Sequence, residues 1–118
     1  MTIRLARLYT GDDLESHFTD GQVEFEPPDA PNARSAMDDA ATVTFEESAR
    51  GSTLSWHNAP ERQYVITLSG TLEFETRLGE RFTVAPGVVL LAEDTTGGGH
   101  RWRLVDDQPW RRVYVVLR

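Results

Sequence analysis

The chain has no cysteine, which removes disulfides, thiolate metal centres and cysteine nucleophiles together. It has no lysine either: all 12 basic residues are arginine. No Schiff base can form, so lysine-anchored pyridoxal phosphate is excluded. No apolar run approaches the roughly 20 residues that span a bilayer, and the first eight residues carry no apolar signal segment. The expected location is the cytoplasm, with no membrane attachment. Positive charge is also scarce. Twelve basic residues against 19 acidic ones leave a formal charge of −7, which argues against nucleic acid, whose phosphates need a basic face.

What is present suits a folded globule. At 118 residues, with 39% hydrophobic content and three tryptophans, the chain is read as one domain over residues 1–118. Apolar residues alternate with polar ones through most of it, the period of a half-buried strand. Ile3 to Leu8 reads as a strand, and Val23 to Glu26 as another, stopped by Pro27-Pro28. Between them Thr10-Gly11-Asp12-Asp13 reads as the start of a short helical turn through Phe18, with acids at its positive end. His17 is then a surface residue. Residues 27–39, rich in Pro, Asp, Ala and Asn, read as a surface loop.

From Thr42 onwards strands follow one another almost without a break. Ser69-Gly70 marks a hairpin between Gln63–Leu68 and Thr71–Thr76, and Leu78-Gly79 marks the next turn. Val88 to Ala92 is a continuous apolar strand, and strands from His100 and Arg112 complete a set of seven to nine. Short strands with a turn about every ten residues predict an all-β sandwich or closed barrel.

Two segments carry the chemistry. In the first, Gly51 precedes His57 by six residues, Gln63 follows His57 by six, and Gly70 comes seven later. The second runs from Gly87 through Glu93-Asp94-Thr95-Thr96 and three glycines to His100. This order resembles the paired motifs of the cupin superfamily. Gly51, His57 and Gly70 stand at that family's spacing, while Ala59 and Gln63 occupy the places of a second histidine and a glutamate. Gly87 opens the second motif; Glu93 and Thr95 replace its Pro and Gly, and His100 lies two residues late. The strings Trp56 to Gln63 and Glu93 to His100 look like those of an uncharacterised subgroup of small bacterial cupins. The resemblance implies a cupin-type jelly-roll β-barrel with its motif-bearing core at about 42–117. It also implies that His100 opens a strand lying beside His57 and Gln63.

A histidine ending one strand and a glutamine opening the next can share an inward face. His57, Gln63 and His100 are therefore the expected ligands of a divalent transition metal such as Fe, Zn, Ni or Mn. His57 and His100 are the candidate catalytic groups, as metal ligands or as a general base without metal. Gln63, Trp56, Trp102 and Glu61 are the candidate ligand-binding residues. An uncharged donor set favours an anionic ligand, so the expected activity is on a small carbonyl-containing organic acid. The alternative is a binding or sensing domain without turnover. Glu93 and Asp94 read as caps of their turn, and Arg62, Arg101 and Arg103 as outward partners of the many acids. No helix start or lysine follows Gly97-Gly98-Gly99, so these glycines form no phosphate loop and no nucleotide is expected. Small β-structures pair through edges or sheet faces, and a homodimer is expected.

Overall fold

The computed structural model describes residues 2–118. Ten strands follow in order: β1 Arg4–Thr10, β2 Ser16–Gln22, β3 Ala40–Ser48, β4 Thr53–His57, β5 Gln63–Ser69, β6 Leu72–Thr76, β7 Arg81–Val84, β8 Val88–Glu93, β9 His100–Leu104 and β10 Trp110–Leu117. They form two sheets, one of six strands in the order β2-β1-β8-β5-β10-β3 and one of four in the order β4-β9-β6-β7. Among the described residues there is no helix, and hence none long and apolar enough to cross a membrane.

The alternation read from the sequence places the core. In β6, β7 and β9 every second residue is buried, and those residues meet Leu8, Val65, Leu90 and Trp110 of the other sheet. Phe82 stacks on Phe18 at 4.1 Å and lies 5.3 Å from Phe74, while Trp102 meets Trp110 edge-on at 4.7 Å. Each large apolar side chain buried this way contributes about 1.5–3 kcal/mol, so this layer is the main source of stability.

Four expectations are corrected. The predicted barrel is not closed: both sheets are open, with edges at β2 and β3 in one and β4 and β7 in the other. A ladder needs strands about 4.8 Å apart, whereas packed layers stand about 10 Å apart. The Phe18–Phe82 stack joins β2 to β7 through side chains, so those edges sit at packing distance. At the other side, β3 pairs with β10 and β4 with β9, and a cavity lies between the two edges.

The predicted helical turn through Phe18 is also absent. Thr10 pairs with Ser16 across an antiparallel ladder, leaving only residues 11–15 to reverse the chain. Gly11 N–H donates to the Glu15 carbonyl at 2.9 Å and Leu14 adopts φ 60°. Asp13 accepts from Glu15 N–H at 3.0 Å and meets His17 Nε2 at 2.9 Å. Acids that suit a helix start suit this tight turn equally, and the β1 ladder decides between them.

Ser69-Gly70 joins no hairpin either, since β5 and β6 belong to different sheets. Gly70 has φ 93°, and a Cβ there would lie 2.9 Å from the Pro109 carbonyl oxygen, so the chain crosses between layers where only glycine fits. The Val23–Glu26 segment makes no strand; Glu26 forms an isolated bridge with Arg34.

Candidate functional site

β4 and β9 pair with Thr53 opposite Arg103, Leu54 opposite Trp102 and His57 opposite His100. His57 follows Leu54 by three positions but Trp102 follows His100 by two, so β4 carries a bulge. In a regular strand an odd separation puts two side chains on opposite faces. The bulge cancels this, and Leu54 and His57 both line the cavity between the sheets. Trp56 is turned outwards as a result. Its ring lies between the guanidiniums of Arg77 and Arg101, at 4.4 and 4.7 Å, away from the cavity.

The cavity encloses about 540 Å³, a size that suits a small organic molecule. Its walls are largely apolar, with Val65, Phe74, Leu90, Trp102 and Trp110 among them. The two imidazoles face each other at 4.4 Å between ring centroids, tilted by 60°. Gln63, at the start of β5, lines the same space and is 7% exposed. Its carboxamide has no hydrogen-bond partner among the described residues. Glu61 reaches the rim and is otherwise exposed.

Both rings are oriented through Nδ1. That of His57 donates to the Ser55 carbonyl at 2.7 Å, a bond made within the bulge. That of His100 donates to Asp94 Oδ2 at 2.5 Å, and the same oxygen accepts from Ser16 Oγ at 2.6 Å. Asp94 is fully buried, and its Oδ1 has no partner among the described residues. A ring that donates through Nδ1 has, when neutral, its lone pair on Nε2. Neither Nε2 is engaged by the described residues. Burial, and secondarily the neighbouring His100, hold the His57 pKa below 6.5 against the raising effects of the Ser55 carbonyl and Asp94. His57 is therefore neutral at pH 7.

The glycines before His100 serve packing. Gly99 has φ 77°, and a Cβ there would lie 2.3 Å from the His57 carbonyl oxygen. This close backbone approach brings the start of β9 against the end of β4.

The structure thus gathers His57, Gln63, His100 and Trp102 around one cavity, with Glu61 at its rim, and leaves Trp56 outside. Arg62 pairs with Glu93, Arg101 with Glu75 and Arg103 with Glu73, all on outer surfaces. Three contributors were not singled out from sequence. Asp94, read as a turn cap, orients His100. Arg112 and Glu46 line the cavity from β10 and β3; Arg112 shares a strand face with Trp110, two residues away, and that period-two relation was the available signal. Among the described residues no group of three His, Cys, Asp or Glu side chains is arranged to hold a metal. Any metal would therefore need the Gln63 amide or the ligand itself as a further donor.

No family model matches the chain, and no curated protein matches it. Among solved structures, a conserved protein of unknown function from Streptococcus pyogenes is similar at 20% identity and a TM-score of 0.47, over 71% of this chain and 69% of that one.

Proposed function

We propose that the cavity binds a small organic acid, and that His57, His100 and Gln63 are the residues that would hold a divalent transition metal there. The observation that carries this reading is the cross-strand imidazole pair. Each ring is anchored at Nδ1 and has an unengaged Nε2, at the polar end of an aromatic cavity. Anchored imidazoles of this kind are typical of metal ligands, and two imidazoles with one amide suit Fe, Zn, Ni or Mn. These donors carry no charge, so an anionic ligand would complete the set. When bound, the metal would polarise a carbonyl of that ligand. The low pKa of His57 keeps its lone pair available at neutral pH, Asp94 holds the His100 ring, and Trp102 offers a flat wall.

The motif resemblance to cupins in residues 51–70 and 87–100 supports the same reading, as an enzyme acting on a carbonyl-containing acid in the cytoplasm. Gln63, where that family carries a carboxylate, favours a second reading: a binding or sensing domain without turnover.

Elemental analysis of protein purified without a polyhistidine tag tests both. Stoichiometric transition metal that disappears in the folded His57→Ala, His100→Ala double variant is the expected result. Metal-free protein whose Tm rises with small acids would leave the binding domain standing. Protein with neither metal nor an acid-dependent rise would reject both.

A further inference from the structure

Arg112 is a buried cation in the cavity wall. Its side chain is 3% exposed, and its guanidinium lies 3.7 Å from the Trp110 ring centroid and 5.5 Å from that of Tyr114. Nη1 donates to Ser48 Oγ at 2.8 Å and to the Trp110 carbonyl at 3.1 Å, and Nε donates to the Tyr114 hydroxyl at 3.1 Å. These bonds fix the plane of the guanidinium. Nη2 donates to Glu46 Oε2.

A guanidinium keeps its charge, so one buried this far from water requires an anion. Its present anion is weakly held in place. The Glu46 side chain is 57% exposed and belongs to β3, an edge strand whose residues 40–47 are all exposed. A carboxylate already mostly in water loses little by swinging out, and its departure frees the Nη2 donors towards the cavity that Glu46 and Arg112 both line.

We propose that Arg112 is a second anchor for the ligand. An anionic group of the bound molecule displaces Glu46 from Nη2, while the other end faces His57, Gln63 and His100. This rests on the reading of the cavity as a small-acid site and deepens it to a substrate class: elongated molecules with an anionic group at each end. Strand register sets the length. Gln63 pairs with Val116 and Glu46 with Arg112 on the same strand, so the two anchoring positions are four residues apart on β10, about 13 Å of strand. An acetate-sized acid cannot touch both. The aromatic and aliphatic wall between them suits an unbranched carbon chain.

Calorimetric titration with adipate, a diacid, and hexanoate, its monoacid counterpart, tests the assignment. Wild-type protein should prefer adipate by about tenfold, the worth of one charge-assisted hydrogen bond. Arg112→Gln should erase that preference. Glu46→Gln removes the competing carboxylate, so it should tighten adipate severalfold and leave hexanoate unchanged, because the competent fraction of the site rises. Glu46→Gln that leaves adipate binding unchanged or weaker overturns the proposal, as does Arg112→Gln that keeps the preference. Should Arg112→Gln fail to fold, Glu46→Gln, at an exposed edge, decides alone. In the same titration, a folded His57→Ala, His100→Ala variant that binds both acids as wild type does overturns the parent reading. Wild-type protein that binds neither acid overturns both.

Discussion

The two ends of the sandwich are built from the same kind of strand and reach opposite outcomes. At the end made by β1, β2, β6, β7 and β8, inward residues are large and apolar, and rings such as Phe18, Phe74 and Phe82 fill the space between the layers. At the end bounded by β3 and β4, the inward residues of β3 are Thr42, Thr44 and Glu46, and they face a cavity. The filled end supplies stability through its own packing. The open end gives up packing for polar groups and space, and leaves residues 40–47 of β3 exposed. The middle of the outer face of β3 is apolar, with Val43 and Phe45 56% and 76% exposed beside Val115 and Val113 on β10, and the Glu47–Arg111 pair follows at its end. The outer face of the four-stranded sheet is laced instead with Arg–Glu pairs.

The sharpest way to break this contrast is truncation at each end. Phe82→Ala should cost about 3–5 kcal/mol, whereas Leu54→Ala, at the cavity mouth and 45% exposed, should stay within about 0.5 kcal/mol. Denaturant unfolding of both variants measures the difference, and similar losses would erase the distinction between filled and open ends.

A smaller effect is expected at the outer face of β3. We propose that a second copy of the chain covers it, since two chains of charge −7 meet with least repulsion through a charge-poor apolar face. Light scattering should return about twice 13.3 kDa. Phe45→Glu removes the burial of one aromatic side chain from each copy, about 1.5–3 kcal/mol apiece, and should weaken the dimer at least about hundredfold. Wild-type protein at the monomer mass would reject the pairing.

The smallest effect belongs to the turn that closes the filled end. The Asp13 hydrogen bond raises the His17 pKa above 6.5 against partial desolvation, and the His17 hydrogen bond lowers that of Asp13 below 3.8. The stability His17 contributes is fully present below pH 6.5 and lost as pH rises through its raised value. That of Asp13 is present above 3.8 and lost as pH falls through its lowered value. His17→Gln should therefore lower Tm slightly near pH 5.5 and leave it unchanged at pH 9. The pair is exposed, so the shift will be small, and an equal loss at both pH values would assign His17 a packing role through its stack on Tyr9.

Much of the candidate site could be read along the chain because its parts are local. His57, Gln63 and His100 stand beside strand boundaries that period-two alternation marks, and Trp102 follows His100 by the two residues that keep a shared face. Trp56 was expected at the ligand only as the sequence neighbour of His57; adjacent strand residues point to opposite faces, so the bulge that aims His57 inwards turns Trp56 out. Asp94 and Arg112 were passed over because an acid before a turn and an arginine in a strand are ordinary until their neighbours are known. His100 lies six residues from Asp94, and Glu46 lies 66 from Arg112.

Composition and alternation by themselves determined that the chain is all-β, that cysteine and lysine chemistry are absent, and which polar residues border the strands. Those properties depend on each residue and its immediate neighbours. The tertiary structure alone decided that the sheets remain open, that Gly70 crosses between layers, and that a bulge aims His57 inwards. It also decided that a buried guanidinium rests against an exposed carboxylate. Each of these depends on which distant strands are near enough to pair, and inter-strand spacing is set by the side chains packed between the layers, a property of both sheets together.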